Sequence, residues 1–215
     1  MDIVYCAGAN PRLTRIAYEA GYLLGIRSDR SSYDFPISFV DIDYKAPDFT
    51  AHLEIVKRHR PKYATVPDLS EIAVDEADII RAVKQAEQLA PYCEIVLIVP
   101  KLSEQIAMLP GDLALGYSVP TKYGGIRTIP AWEFAERRVH LLGGSPHEQM
   151  KLARYMDVMS ADGNMAQKIA IQFARYWRDG QWIAHPERGQ GKEDLYLDCW
   201  QRSCQNIYRC WQAVA

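Results

Sequence analysis

The stretch "RVHLLGGSPHEQMKLARYMDVMSADGNMAQ", residues 138–167, holds a strand, a helix, a second strand and the start of another helix. RVHLLGG is a short apolar run that ends on two glycines. SPHEQMKLARYM then places apolar residues at spacings of three and four, the mark of an amphipathic helix, before DVMSAD returns to a strand-like run. Ser145 reads as the N-cap of the first helix, with Pro146 at N1 and Glu148 at N3, which together make a capping box. NMAQ repeats the device with Asn164 as N-cap and Gln167 at N3. Strands alternating with helices in this way imply a parallel βαβ unit.

The same alternation extends over the rest of the chain. Eight runs carry strand character: IVYCAG (3–8), YLLGIRS (22–28), ISFVDID (37–43), YATVPD (63–68), EIVLIVPK (94–101), LALGYSVP (113–120), RVHLLGG (138–144) and DVMSAD (157–162). Most are followed by helical periodicity. Eight units predict a closed, compact (β/α)8 barrel of the TIM type, shorter than the usual ~250 residues. A doubly wound open parallel sheet is the alternative. A long helix is expected over about 164–182, then a Gly- and charge-rich loop, "HPERGQGKED" (185–194), and a last helix. Tyr196, Trp200, Cys204, Ile207 and Trp211 form a stripe along that helix, which predicts packing against the barrel. The expected organisation is one domain, 1–215, with 183–215 as a loop and C-terminal helix added to the barrel.

The composition, 48% hydrophobic and 24% charged, is that of an ordinary globular protein. No apolar run approaches the ~20 residues that span a bilayer, and MDIVYCAG lacks the pattern of a secretory signal, so a cytoplasmic protein is expected. The five cysteines form no CxxC pair and suit reduced thiols. Helical geometry scatters Cys199, Cys204 and Cys210 around their axis, so neither a zinc site nor any other metal or cofactor is expected. A formal charge of −2 gives no global basic field, so a nucleic-acid partner must be held locally.

In a barrel the chemistry lies where strands end, on the C-terminal face. The strand ends carry Cys6, Arg27, Asp41, Asp43, Asp68, Lys101, Tyr117, Ser118, Gly143, Gly144 and Asp162. Aspartates have poor β-propensity, so three strands ending in them ask for a reason. The plain reason is that they cap helices or pair with Arg27 and Lys101. With Asn164 as the cap of the next helix, Asp162 is left over for chemistry, and Asp75 with Asp78 frees Asp68 in the same way. Asp41 and Asp43 lie two apart on one strand and so share a face, where two like charges would raise a pKa unless a cation intervenes. The loop "GYSVPTKYGGIR" (116–127) combines Lys122 and Arg127 with Tyr117, Tyr123 and two glycines, which suits a phosphate-bearing or heterocyclic ligand. The basic "KRHRPK" (57–62) falls at the opposite end and reads as a solvated helix end. His140, inside an apolar run, reads as a core histidine.

The segment "RVHLLGGSPHEQMKLARYMDVMSADGN" resembles the signature of the tRNA-guanine transglycosylase superfamily, including its DNA-modifying 7-deazaguanine relatives. In that family a strand reading hLLGxGxP is followed by a helix and by a strand that ends in the nucleophilic aspartate. The counterparts are His140 to Gly144, Pro146 and Asp162, and "ATVPD" is similar to the strand that ends in a second catalytic aspartate, here Asp68. The family's Cys-Cys-Cys-His zinc insertion and extended tRNA-binding subdomain have no counterpart, and Met159 stands where a DxxD pair would begin. The resemblance implies an enzyme that breaks the N-glycosidic bond of a guanine-type base in DNA or tRNA and exchanges it for a free base. Asp162 would be the nucleophile and Asp68 the acid/base or base-positioning group. Gly143 and Gly144 would let a flat base approach the backbone, and Tyr117 or Tyr123 would stack on it. The alternatives are a glycosylase that uses water as acceptor, and a non-catalytic barrel that binds nucleotide or protein partners.

Overall fold

Each of the eight apolar runs becomes a strand, most of them shorter than the run. The computed structural model describes residues 1–6, 10–30, 34–120, 129–190 and 194–213. The strands are β1 (Asp2–Cys6), β2 (Leu23–Arg27), β3 (Phe39–Asp41), β4 (Tyr63–Thr65), β5 (Ile95–Ile98), β6 (Ala114–Ser118), β7 (Arg138–Leu142) and β8 (Asp157–Asp162). Each is parallel to its neighbours, and β1 pairs with both β2 and β8. The sheet is therefore a closed eight-stranded barrel, and the open-sheet alternative is excluded.

The outer layer explains the economy of length. Helices α1 (Pro11–Glu19), α2 (Phe49–His59), α3 (Glu76–Leu89), α4 (Ser103–Met108), α5 (Pro146–Leu152) and α6 (Met165–Phe173) follow six of the strands. Among the described residues, the β2–β3 connection holds no helix and the β6–β7 connection only a 3-10 turn, Ala131–Phe134. Asn10, Asp48 and Asp75 start α1, α2 and α3 by accepting from the backbone N–H of Arg12, Ala51 and Ala77. Ser145 Oγ accepts from Glu148 N–H at 3.2 Å, as expected. Glu148, however, turns to Lys151 (3.3 Å) rather than back to the cap, so only half of that capping box forms. Asn164 stands at the N-cap of α6, yet its side chain makes no cap bond. Its ψ of 10° is not the extended value that aims a cap side chain at the first turn. The second capping box is thus not formed.

The long helix expected over 164–182 is also corrected. α6 stops at Phe173, and an antiparallel hairpin follows, β9 (Arg175–Arg178) and β10 (Gln181–Ala184). Its two-residue turn is Asp179-Gly180, both with positive φ (48° and 81°). Asp-Gly is the preferred pair for a tight hairpin turn whose twist matches the strands, and this outweighs the helical spacing of the apolar residues. The last helix, α7 (Leu195–Gln212), buries Trp200, Cys204, Ile207 and Trp211, so its aromatic stripe is packing. Trp200 lies 5.1 Å from Tyr5, centroid to centroid, and donates its indole N–H to Leu13 O at 3.0 Å. Trp177 N–H to Ser203 Oγ and Asn206 Nδ2 to Trp177 O, each 2.9 Å, pin the hairpin to α7.

Inside the barrel, Val4, Phe39, Tyr63, Leu97 and Ala114 form a small core with Cys6, Leu142 and Met159 against it. His140 completes this layer, stacked on Phe39 at 5.0 Å and 20°. The register of β7 on β8 shifts here: Val139 pairs with Val158, but His140 pairs with Ser160. Met159 is the extra residue of a bulge, and the bulge reverses the in–out alternation of β8 beyond it. Ser160 and Asp162 thereby share the inward face of His140 and of Val4, which pairs with Asp162. Without the bulge, Asp162 would point away from the barrel axis.

Candidate active site at the barrel mouth

Three aspartates converge at the C-terminal mouth. Asp162 comes from the end of β8, and its Oδ1 accepts the backbone N–H of Gly143, the residue after β7, at 2.9 Å. Gln149 of α5 locks that corner from behind, with Nε2 2.7 Å from Gly143 O and 2.6 Å from Asp162 O. The carboxylate is therefore not a leftover group. It closes the β7–β8 corner and still keeps 17% of its side-chain surface exposed to the mouth.

Asp41, at the end of β3, accepts Thr65 Oγ1–H at 2.9 Å, and Thr65 Oγ1 in turn accepts Ile42 N–H at 2.9 Å. Burial is the largest influence on its carboxyl, the negative charge of Asp162 comes next and that of Asp68 adds to it. Against these, the Thr65 bond favours the ionised form, and the outcome is a carboxyl pushed up to about 7. Asp41 thus keeps its proton near neutral pH while it faces a charged aspartate. The Cys6 thiol, at the end of β1, is pushed well up by burial first and then by Asp162 and Asp41. It is a protonated donor to Asp162 rather than a reactive thiolate.

Asp68 lies beyond β4 and pairs with Lys101 at 2.6 Å, and Lys101 Nζ also donates to Ser118 Oγ at 3.0 Å. The plain reading of pairing therefore holds for Asp68. It holds also for Asp43, which lies beyond the end of β3, 3.5 Å from Arg27. Arg27 binds Asp29 more closely, at 2.5 Å. The structure thus brings Asp162, Asp41, Asp68, Lys101, Ser118 and Gly143 to the mouth, with Asp43 at its rim.

Two expected contacts move elsewhere. Tyr117 is buried, donates to Ile129 O at 3.1 Å and packs edge-on against Phe134, so it faces the outer layer. Strand alternation puts Ser118, its neighbour, on the inward face instead. Gly144 (φ 81°) is pressed against Val119, whose Cγ1 lies 2.3 Å from where a Cβ would stand. Of the two glycines, Gly143 (φ 69°) is the one that faces open space. Lys122, Tyr123 and Arg127 lie outside the described residues.

The residues that sequence reasoning missed are Thr65, Ser160 and Gln149. Counting back two positions from Asp162 marks Ser160, whereas Thr65 and Gln149 are tied to the site only by tertiary contacts. A cavity of about 550 Å³ opens at the opposite end of the barrel, lined by Asp2, Lys62, Arg138 and Trp211 among others, but none of the mouth carboxylates reaches it. Lys62, paired with Asp2 at 2.7 Å, confirms that "KRHRPK" ends on that bottom face. Among the described residues, no group of three or more His, Cys, Asp or Glu is placed to hold a metal ion, and no helix is long and apolar enough to cross a membrane.

Residues 17–212 match the model of a family described as a family of unknown function (DUF6610), and the chain belongs to that family. No curated protein matches it.

Proposed function

We propose that this member of the family is a transglycosylase-like enzyme, which breaks the N-glycosidic bond of a guanine-type base in nucleic acid and exchanges that base for a free one. The observation that carries the reading is the pair of unlike carboxyls in one mouth. Asp41 is held protonated up to about pH 7, beside a charged Asp162. Two carboxyls whose surroundings separate their protonation states form an acid and nucleophile pair. This division moves the acid role from Asp68 to Asp41, because the short ion pair with Lys101 occupies Asp68. Asp68 acts instead through its charge, which helps Asp41 keep its proton.

In the proposed cycle Asp162 attacks C1′ of the nucleotide. The C1′–N bond breaks toward the base, which takes the proton of Asp41. The incoming base then attacks C1′, Asp41 takes up its N–H proton, and the bond from C1′ to Asp162 breaks. Gly143, open on its Cα side, lets a flat base lie against the backbone. A base paired in a duplex must be flipped out to reach so deep a carboxyl, so a single strand or loop is the better substrate. The resemblance of residues 138–164 to the transglycosylase signature supports the same reading.

The test is to incubate the protein with isotopically labelled guanine or a 7-deazaguanine and with DNA or tRNA, then digest to nucleosides and measure the label. Incorporation supports exchange, and base release without incorporation indicates water as the acceptor. If neither occurs with any of these substrates, the proposal fails.

A further inference from the structure

His140 is an ionisable group stacked inside the barrel core, and the chemistry proposed above does not use it. It is fully buried, with Phe39 parallel to one face of its ring and Tyr63 tilted 6.2 Å away. Nδ1 lies 2.8 Å from Ser160 Oγ. Nε2 lies 3.5 Å from Asp162 Oδ1 and has no hydrogen-bond partner at normal distance. A buried polar nitrogen left this way is costly, so its direction carries meaning. The bulge at Met159 puts all three groups on one inward face.

The proton on the ring follows from these contacts. A lone pair on Nε2 would face the lone pairs of a carboxylate 3.5 Å away. A proton on Nε2 faces the same oxygen favourably and leaves Nδ1 to accept from the Ser160 hydroxyl. We infer that His140 is a positioning residue, which directs its Nε2–H at Asp162 and is held in that tautomer by Ser160. Gly143 N–H and the imidazole then approach the same Oδ1 from two sides, which fixes the plane of the carboxylate before substrate arrives. A separation of 3.5 Å is long for a hydrogen bond, and such contacts tighten when a reacting group engages the carboxylate. The effect on catalysis rests on the reading of Asp162 as nucleophile. The tautomer does not.

Nitrogen-15 NMR of the imidazole groups in the full chain, assigned with His140→Gln, reads the tautomer directly. The expected spectrum has His140 protonated on Nε2 and bare on Nδ1, and Ser160→Ala, which removes the donor to Nδ1, raises the share of the Nδ1–H form. A wild-type ring protonated on Nδ1 alone, or one indifferent to Ser160→Ala, overturns the inference whether or not the protein proves to be an enzyme. Where exchange activity is found, His140→Gln, whose amide N–H takes the place of Nε2–H, keeps kcat within about tenfold of wild type. His140→Phe lowers kcat by a further 10- to 100-fold with KM little changed, the range for groups that orient a reacting ligand from behind. Equal losses in the two variants, with both folded, contradict the positioning role. If His140→Phe does not fold, the glutamine variant and the spectrum still decide.

Discussion

Replacing Asp41 by Asn removes the proton-binding group at the centre of the mouth and leaves its shape. The Thr65 hydroxyl still finds an Oδ1 to donate to, so the chief change is electrostatic. In the folded chain Asp41 holds its proton to about pH 7, against an ordinary value of 3.8. Between those values the folded state binds more protons than the unfolded state. The contribution of this group to stability is therefore complete below pH 3.8 and is lost as pH rises to about 7. At ~1.4 kcal/mol per pKa unit, the loss is on the order of 4 kcal/mol. Asn loses nothing over that range. His52 works in the other direction, since burial pushes its imidazole down to about 4. Its contribution is present above the ordinary value of 6.5 and is lost as pH falls through about 4. The two slopes offset each other in the wild-type chain, and the substitution removes only one of them.

Urea unfolding of both proteins between about pH 4 and pH 8 isolates the effect, because His52 cancels in the difference. The variant should gain on the wild type steadily up to about pH 7 and then hold a constant advantage. For a chain of this length the full difference corresponds to roughly 8–16 °C in melting temperature. Curves that stay parallel within about 1 kcal/mol over the whole range would show that Asp41 ionises like a surface carboxyl. The acid of the proposed cycle would then be lost.

Lys101→Met leaves Asp68 without its cation in a partly buried place, and should cost about 1–2 kcal/mol after allowance for solvent screening; an unchanged urea midpoint would show the pair to be idle. Gly144→Ala meets Val119 as well as an unfavourable φ and should destabilise by about 2–4 kcal/mol. Gly143→Ala meets only the φ penalty of about 1–2 kcal/mol but places a methyl in the mouth, so it should weaken base binding more than stability; thermal melts with and without guanine separate the two. Chelation with EDTA should leave activity unchanged, and loss of activity that a divalent metal restores would refute metal independence.

The barrel was legible because the change from strand to helix periodicity is local, and each polar strand end marks where a β-strand yields to a loop. The hairpin at 175–184 was legible in principle from Asp179-Gly180, but the apolar spacing around Ile171, Phe173 and Trp177 also fits a helix, and that reading hid the turn. The site was legible only as a set of strand ends. Whether Tyr117 or Ser118 faces inward depends on the phase of one strand, and the phase of β8 is changed by a bulge that exists only in its pairing with β7. Asp41 looked like one of several carboxylates because its proton depends on burial and on Asp162, which is remote in sequence. Asp162 looked spare because Asn164 occupies a cap position, yet the cap bond is missing and Asp162 itself ties the Gly143 corner.

The central claim is that Asp162 forms a bond to C1′, and intact-protein mass spectrometry of a trapped intermediate tests it most directly. Wild-type protein, mixed with a single-stranded guanine-containing oligonucleotide and no free base, should carry the mass of the oligonucleotide less guanine. Peptide mapping should place that adduct on Asp162. Asp162→Asn should form none and yet stay folded, within about 1 kcal/mol of the wild-type stability, because its side-chain oxygen still accepts from Gly143 N–H. An adduct of the same mass on Asp162→Asn, or one mapped to Asp68, would contradict the account.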